Sequence, residues 1–392
     1  MISKQIEQDL SKSSMIRKMF EEGKRLKEMY GEENVFDFSL GNPALQPPKE
    51  LLDSLLKHAT EPNVHQYMLN AGYEDVRQKV AEHHNKSTEK VTLTQKNIVM
   101  TVGAAGGLNV TLKALLNPDD EVIVLAPYFV DYLFYIKNYL GTPVIVQTKK
   151  DSFQLDIENI KSALTKNTKA IILNSPNNPT GVIYPKEDLE KLAAALKEFE
   201  EANGTNIAII SDEPYNQLNY ELPVPNLLDI FENVIVINSF SKSLSLAGGR
   251  IGYVIASPKI ADIDLVLGAI VFSTRTLGFV NAPALYQKAI ADALDLPSNK
   301  DHYKKLRDAL LSIVRGAGFE CIEPDGAFYL FVKSPIPDDV AFAASAAKYN
   351  ILLVPGSGFG CPGYFRLAYC GDLKTIENSK DAFEKLGKEY GL

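Results

Sequence analysis

Between residues 98 and 256 the chain alternates between short apolar runs and longer segments whose apolar residues have helical spacing. Most of the short runs are apolar at successive positions, as in strands that are buried on both faces. They cover residues 98–101, 121–126, 144–147, 170–173, 207–211, 234–238 and 251–256. Helical patterns, such as those at 108–116, 128–140, 157–164 and 186–202, separate them. The sequence therefore predicts an α/β fold with a three-layer, mostly parallel, seven-stranded sheet.

The pattern changes on either side of this region. A charged helical segment at 3–30 and a short strand at 36–40 precede it. After about residue 281, amphipathic helices at 282–294, 300–317, 338–349 and 373–390 flank short strands at 328–332, 352–354 and 365–369, which is typical of a smaller α+β domain. Because 392 residues are too many for one simple core, we expect two domains. The large domain would span 46–285, and the small domain would combine 286–392 with an N-terminal arm at 1–45.

Composition and charge exclude several classes of protein. The net charge is −8 and no block of Lys and Arg occurs, whereas nucleic-acid-binding proteins usually present a basic face. No apolar run is long enough to cross a bilayer, and the charged N-terminal segment lacks the apolar core of a signal peptide. Cys321, Cys361 and Cys370 fit no disulfide framework or metal knuckle, and the five histidines form no ligand motif. We expect a cytoplasmic protein without a metal, a membrane anchor or a nucleic-acid partner.

Candidate chemistry lies in four segments that each follow a predicted strand. They are Val102-Gly103-Ala104-Ala105-Gly106-Gly107, residues 174–181 (NSPNNPTG), residues 212–215 (DEPY) and residues 239–245 (SFSKSLS). Each alone also fits a common structural role: a tight turn, a Pro/Asn turn, a helix cap or a solvated lysine. Because ligands bind beyond the carboxyl ends of strands in open α/β sheets, the four segments meet at one edge. A phosphate cradle, an amide, a carboxylate with a tyrosine, and a lysine together indicate a specific binding site.

Three of these stretches resemble known signatures. NSPNNPTG, DEPY and residues 239–250 (SFSKSLSLAGGR) are similar to the signature segments of fold-type I, class I/II aminotransferases, and most similar to the aspartate aminotransferase-like group. The resemblance extends from Gly41-Asn42-Pro43 to Phe365-Arg366-Leu367, in the same order along the chain. It implies an aspartate aminotransferase-like fold and an enzyme that uses pyridoxal 5′-phosphate.

The resemblance also implies roles for individual residues. Lys242 matches the lysine that forms the Schiff base with the cofactor and then moves the substrate proton. Asp212 matches the carboxylate that pairs with the pyridine nitrogen, and Tyr215 and Asn178 match the groups that hydrogen-bond the phenolic oxygen. The residues that match the phosphate site are Gly103, Ala104, Ala105, Ser239, Ser241 and Arg250. Phe129 falls where the family stacks an aromatic ring on the cofactor, with Tyr128 as the alternative.

Other matches concern the substrate and a second subunit. Arg366 matches the arginine that binds the substrate α-carboxylate, assisted by Gly41 and Asn178. Tyr67 matches a tyrosine that reaches the phosphate of the neighbouring subunit, which implies a homodimer with shared active sites; a core or surface aromatic is the alternative. Arg275 lies where some members carry a residue that selects the substrate side chain. It could instead bind the phosphate, or have no ligand.

The resulting hypothesis is a ping-pong aminotransferase. It would take the amino group of an L-amino acid, with aspartate as a candidate, and pass it to a 2-oxo acid such as 2-oxoglutarate. One rival is a carbon–sulfur β-lyase or another pyridoxal phosphate reaction, because the cofactor residues would be the same. A second is a non-catalytic ligand sensor with an added DNA-binding domain, which the roughly 45 residues before the sheet domain leave no room for.

Overall fold

The computed structural model describes the backbone of residues 1–392 and the side chains of residues 1–10, 23 and 25–392. In chain order the strands are β1 (Phe36–Asp37), β2 (Ile98–Thr101), β3 (Glu121–Ala126), β4 (Thr142–Gln147), β5 (Thr168–Asn174), β6 (Ala208–Asp212), β7 (Val234–Ser239), β8 (Gly252–Ala256), β9 (Tyr329–Lys333), β10 (Ile351–Leu352), β11 (Val354–Pro355) and β12 (Tyr364–Ala368).

The helices in chain order are α1 (Lys4–Tyr30), α2 (Lys49–His58), α3 (Glu74–Asn85), α4 (Gly103–Leu115), α5 (Asp131–Asn138), α6 (Ile157–Ala163), α7 (Lys186–Asn203), α8 (Phe240–Ser243), α9 (Ile263–Thr276), α10 (Ala284–Ala291), α11 (Lys300–Gly316), α12 (Asp339–Ala347), α13 (Leu373–Asn378) and α14 (Lys380–Glu389). None of the described helices is both long and apolar enough to span a membrane.

The seven predicted strands form one sheet in the order β2-β8-β7-β6-β5-β3-β4. Strands β4, β3, β5, β6 and β7 are mutually parallel, and β8 runs antiparallel to both of its neighbours. Strands β2 and β8 are buried along their whole length, because helices cover both faces of the sheet. Apolar clusters lie on each face, one around Ile171 and Ile209 and the other around Ile172 and Ile210. The predicted fold class is therefore confirmed.

The C-terminal region is built around a three-stranded antiparallel sheet in the order β11-β12-β9. Helices α11, α12 and α14 contribute buried residues such as Leu310, Phe342 and Phe383 to its apolar core. Phe38 from the N-terminal arm packs into the same core, and β1 pairs in parallel with β10. The backbone N–H of Ala368 in β12 donates to the carbonyl of Phe38 at 2.8 Å, which places the arm beside the strand that carries Arg366.

Several element predictions were wrong in detail. The strand predicted at 352–354 divides at Leu353, since β10 pairs with β1 whereas β11 pairs with β12. The helix predicted at 373–390 divides at Ser379, whose hydroxyl donates to the carbonyl of Ile376 at 2.7 Å. The strand predicted at 36–40 ends at Asp37. Helices α2 and α9 were not predicted.

Two corrections affect the site directly. The glycine-rich segment after β2 was predicted as a loop before a helix, but α4 begins at Gly103. Lys242 was considered as a loop residue, but it lies in the single-turn helix α8 at the end of β7. Both segments therefore present backbone N–H groups of a first helical turn at the edge of the sheet.

Candidate active site

A cavity of about 950 Å³ opens at the carboxyl edge of the large sheet. Most of the predicted site residues line it, namely Gly41, Ala104, Ala105, Phe129, Asn178, Asp212, Tyr215, Ser239, Ser241, Lys242, Arg250 and Arg366. The alternative aromatic residue, Tyr128, lines it as well. The cavity thus combines side chains from the strand ends of the large sheet, from the N-terminal arm and from β12.

Lys242 points its amine toward the N-terminal arm. Its Nζ donates to the carbonyl oxygen of Gly41 at 2.6 Å and lies 5.4 Å from the centre of the Phe328 ring. Burial lowers the pKa of the Lys242 amine to about 8, and the charges of Arg366 and Arg250 act in the same direction. A substantial fraction of the amine is therefore neutral near physiological pH, as a nucleophile or a base requires.

Asp212 ends strand β6 as a buried carboxylate with only one of its oxygens paired. The Tyr132 hydroxyl donates to Oδ2 at 2.5 Å, whereas Oδ1 is buried without a hydrogen-bond partner among the described side chains. Burial raises the pKa of the Asp212 carboxyl to about 7, although the Tyr132 hydrogen bond acts in the opposite direction. A cationic N–H donor at Oδ1 would satisfy this oxygen and restore the ionised form.

Asn174 and Asn178 fix the loop beside this carboxylate. Strand β5 pairs with β6 so that Asn174 lies opposite Asp212, and the Asn174 side chain donates to the Asp212 carbonyl at 2.8 Å. Its amide oxygen accepts the backbone N–H of Asn178 at 2.7 Å. The side chain of Asn178 is thereby directed to Arg366, whose Nη1 donates to its Oδ1 at 3.0 Å.

The Arg366 guanidinium is held between two aromatic rings. Its central carbon lies 4.5 Å from the centre of the Tyr329 ring and 4.8 Å from that of Phe359. Its Nη2 donates to the carbonyl of Ser39 at 2.9 Å, and its Nε is buried without a partner among the described side chains. A fixed, desolvated guanidinium with an unpaired donor is suited to bind a carboxylate.

Tyr215 meets Tyr329 inside the cavity. The two hydroxyls are 2.7 Å apart, and both rings are buried. Tyr329 is also in close contact with the N-terminal arm at Gly41. A Cβ added to Gly41 would clash with the Tyr329 hydroxyl oxygen, at 2.3 Å. Glycine at position 41 therefore permits the close approach of the arm to this tyrosine.

The opposite end of the cavity has the chemistry of an anion site. The first turn of α4 contributes Ala104 and Ala105, and its N-terminus carries unpaired N–H groups and a positive dipole end. The exposed Arg250 donates through Nη1 to the Ala247 carbonyl at 3.0 Å. Gly103 does not line the cavity, but a Cβ there would lie 3.0 Å from Nη2 of Arg250. The arginine therefore lies against the start of the helix.

Two further predicted residues, Tyr67 and Arg275, also lie outside the cavity. Tyr67 is 92% exposed, in a segment that Asn281 anchors by donating to the Leu69 carbonyl at 2.9 Å. Arg275 is exposed on the last turn of α9, with its guanidinium 5.3 Å from the centre of the Phe272 ring. Neither residue lines the cavity. Among the described side chains, no cluster of His, Cys, Asp and Glu could hold a metal ion.

Sequence reasoning missed three residues of the site: Tyr132, Asn174 and Tyr329. Tyr132 follows Phe129 by three positions, so helical spacing from that aromatic candidate was an available signal. Asn174 is the first residue of the NSPNNPTG segment, but its partner depends on the pairing of β5 with β6. Tyr329 lies in a predicted strand and resembled an ordinary core aromatic residue.

Comparisons with known proteins agree with this geometry. Residues 33–383 match the aminotransferase class I and II family. An aminotransferase from Eubacterium rectale of known structure is 36% identical, with a TM-score of 0.96 over 100% of this chain and 99% of its own. An aspartate aminotransferase from Thermotoga maritima is 31% identical over 388 residues, which are 98% of this chain and 96% of the relative. An asparagine–oxo-acid transaminase from Streptococcus mutans is 31% identical over 369 residues, with coverage of 88% and 90%.

The chain therefore belongs to the aminotransferase class I and II family. It is a transaminase that acts on amino acids, from a family of pyridoxal phosphate enzymes, and its fold is that of the aspartate aminotransferases. The family, fold and activity predicted from the sequence are confirmed.

Proposed function

We propose that this cavity binds pyridoxal 5′-phosphate, and that the enzyme moves an amino group from an L-amino acid to a 2-oxo acid by ping-pong chemistry. One observation carries the proposal: the Lys242 amine, the unpaired oxygen of Asp212 and the Arg366 guanidinium line the same cavity. Three separate groups of complementary chemistry are thus available to a cofactor and an amino acid bound together.

The residues fit the cofactor at both of its ends. The buried Oδ1 of Asp212 needs a donor, which a protonated pyridine nitrogen would supply. The N-terminus of α4, the hydroxyls of Ser239 and Ser241, and the fork of Arg250 would hold the phosphate. When bound, the cofactor withdraws electrons from the Cα of the amino acid and so weakens its Cα–H bond.

An aromatic ring would cover the cofactor plane between these ends. Phe129 is the better candidate, because its ring packs at 5.5 Å between centroids against Tyr132, which in turn bonds Asp212. Tyr128 is fixed differently: its ring lies beneath Gly360, where an added Cβ would be 2.5 Å away. Tyr215 and Asn178, which line the cavity beside Asp212, would donate to the phenolic oxygen.

The chain's own groups would bind and deprotonate the substrate. Arg366 would hold the α-carboxylate, with Asn178 and the backbone at Gly41 completing the site. The rings of Tyr329 and Phe359 would exclude water from that ion pair and strengthen it. Lys242, with its pKa lowered to about 8, would in its neutral form take the proton from the substrate Cα onto Nζ and hold it there for the following proton transfer.

Absorbance spectroscopy tests the cofactor claim. Purified enzyme mixed with pyridoxal phosphate should develop a visible band that an amino acid removes and a 2-oxo acid restores. Lys242→Ala should lose the response to amino acid, while Lys259→Ala, at an exposed lysine beyond β8, should behave as wild type. The absence of any band in the wild-type enzyme would refute the proposed cofactor.

We infer that the enzyme is a homodimer in which Tyr67 reaches the phosphate of the other subunit. Its 92% exposure, in a segment anchored to the loop after α9, is consistent with a role across an interface. Tyr67→Ala and Lys242→Ala would each be nearly inactive alone. Mixed under conditions that exchange subunits, they should regain up to about a quarter of wild-type activity, because half of the sites in a hybrid are intact. No recovery, with the exchange verified, would contradict the shared site.

Aspartate as donor and 2-oxoglutarate as acceptor are the substrates we propose first. The names of the two relatives specify aspartate and asparagine, which differ only at the distal group. If Arg275 binds the distal carboxylate across the interface, Arg275→Ala should raise the KM for aspartate about tenfold or more and leave that for asparagine within twofold. Equal effects on both donors would assign Arg275 to the phosphate or to neither ligand.

The β-lyase alternative is separated from transamination by its products. Release of pyruvate and ammonia from cystathionine, without a 2-oxo acid acceptor, would favour the lyase.

Cys321, Cys361 and Cys370 are all free thiols, which supports our proposal of a reducing, cytoplasmic compartment.

A further inference from the structure

Tyr329 connects the two halves of the candidate site. Its side chain is only 2% exposed, and its hydroxyl lies 2.7 Å from that of Tyr215. The face of the same ring lies 4.5 Å from the Arg366 guanidinium carbon. One side chain therefore contacts both the tyrosine proposed to face the cofactor and the arginine proposed to bind the substrate.

The antiparallel pairing of two strands produces this arrangement. In the register of β9 and β12, Arg366 lies opposite Phe331 and Ala368 lies opposite Tyr329. Residues 329 and 331 share one face of β9, so the tyrosine ring lies diagonally across from the arginine. The contact is set by the fold rather than by a flexible surface rotamer.

The direction of the hydrogen bond follows from what Tyr215 has to do. A phenol has a single hydrogen, and Tyr215 can donate it either to Tyr329 or to a ligand in the cavity. If Tyr215 donates to the cofactor, the Tyr329 hydroxyl must be the donor in the pair. A donated hydrogen bond polarises the acceptor hydroxyl and makes it a stronger donor in turn.

We propose that Tyr329 is a positioning residue that strengthens the hydrogen bond from Tyr215 to the phenolic oxygen of the cofactor and supports the Arg366 guanidinium with its ring. This inference rests on the proposed cofactor and assigns a residue that neither the sequence motifs nor the resemblance indicated. The hydroxyl and the ring have separate functions, so they can be removed separately.

The first measurement is the pH midpoint of the visible absorbance change of the enzyme with bound cofactor. A donor to the phenolic oxygen stabilises the deprotonated chromophore, so Tyr329→Phe should raise this midpoint by about half a pH unit. Tyr369→Phe is the matched control: it removes the hydroxyl of a buried tyrosine outside the cavity, which lies 3.0 Å from that of the partly buried Tyr220. It should leave the midpoint within 0.1 unit of wild type, roughly the precision of such titrations.

A double-mutant cycle then tests the connection. Tyr215→Phe should raise the midpoint more than Tyr329→Phe does, and combining the two should add nothing to Tyr215→Phe alone. Additive shifts, or a midpoint in Tyr329→Phe that matches the Tyr369→Phe control, would overturn the proposal while leaving the cofactor claim intact. Absence of the band in the wild-type enzyme would overturn both.

The ring is tested with propionate, a carboxylate without an amino group, titrated against the same band. Tyr329→Phe keeps the ring and should bind propionate within twofold of wild type, whereas Tyr329→Leu should weaken binding about tenfold. Equal binding by the Phe and Leu variants would overturn the role of the ring. The role of the hydroxyl is tested with Tyr329→Phe alone, which is a conservative change. Poor folding of Tyr329→Leu would therefore not affect the test of the hydroxyl.

Discussion

Two aspartates, Asp212 at the end of strand β6 and Asp292 after helix α10, show how a carboxylate in a candidate ligand site differs from one with a structural role. Asp212 is buried and accepts one hydrogen bond from Tyr132, and its other oxygen has no partner among the described side chains. Asp292, beside the C-terminus of α10, is partly exposed and has donors at both oxygens. These are His58 at 2.9 Å, Ser54 at 3.0 Å and Lys79 at 3.1 Å, with Lys57 at 3.6 Å.

The two environments move the pKa in opposite directions. Burial raises the pKa of Asp212 to about 7. Partial burial also acts to raise the pKa of Asp292, but the hydrogen bonds from His58, Lys79 and Ser54 outweigh it and hold that pKa well below its usual range. A carboxylate with a structural role has hydrogen-bond donors from its own chain at both oxygens. A carboxylate in a ligand site has an oxygen without a donor, which is available to the ligand.

The largest expected effect is a loss of turnover when Asp212, but not Asp292, is replaced by asparagine. Asp212→Asn keeps an acceptor for Tyr132 but removes the charge that would hold the pyridine nitrogen protonated, so turnover should fall roughly 1000-fold. Steady-state kinetics with saturating cofactor measures this loss. Asp292→Asn, made in parallel, should retain activity within about twofold, and a comparable loss there would remove the distinction.

The next effect concerns stability. Asp292→Ala leaves the His58 ring and the Ser54 hydroxyl without their shared acceptor, and it should lower the free energy of unfolding by about 2 kcal/mol. Urea denaturation of the holoenzyme measures the change. Asp212→Ala should cost less without added cofactor, because it removes a buried carboxylate that is only half satisfied. A larger loss at Asp212 would reverse the assignment of the two sites.

A smaller effect is expected at the hydrogen bond that Tyr132 donates to Asp212. Tyr132→Phe removes the donor to Oδ2 and should weaken cofactor binding about tenfold, because the ionised carboxylate is then less stable. Equilibrium dialysis or the visible band measures the affinity. Tyr184→Phe, at another buried tyrosine away from the cavity, is the control and should bind the cofactor as wild type does.

The smallest effect is a difference in pH dependence. The depressed pKa of Asp292 gives stability that is present above the unfolded pKa of about 4 and is lost as the pH falls further. Since this group is partly exposed, solvent screening limits the contribution to about 1 kcal/mol. The raised pKa of Asp212 has the opposite sign, because stability without cofactor falls as the pH rises from about 4 to about 7.

Urea titrations of the two Asn variants between pH 3 and pH 8 would resolve these contributions. Asp292→Asn should flatten the loss of stability at acid pH, and Asp212→Asn should flatten the decline toward neutral pH. The same pH profile for both variants would mean that the two carboxyl groups titrate alike. That result would contradict the opposite pKa shifts expected from their different burial and hydrogen-bond partners.

Many residues of the candidate site could be predicted from the sequence. The residues that were missed share one feature: their contacts are with distant parts of the chain. Lys242 and Asp212 were identified because they lie in local motifs at the ends of strands, and Arg366 was identified because Phe365-Arg366-Leu367 resembles a family motif. Their partners Tyr132 and Tyr329 come from a helix and a strand; the spacing from Phe129 could have suggested Tyr132 as a neighbour, but the contacts of both tyrosines depend on how distant elements pack together. The domain boundaries after residues 45 and 285 and the roles of the site residues stay predictions.

The segment Ser39-Leu40-Gly41, which precedes the large sheet, determines which side chain of the site can be replaced. Its main-chain carbonyls at Ser39 and Gly41 accept hydrogen bonds from Arg366 and Lys242. Because the contacts are made by backbone atoms, the side chain of Leu40, which lines the cavity and is 41% exposed, is not committed to either cation. Position 40 can therefore accept replacement while the two cations keep their acceptors, which makes it a natural starting point for the evolution or engineering of new substrate preferences.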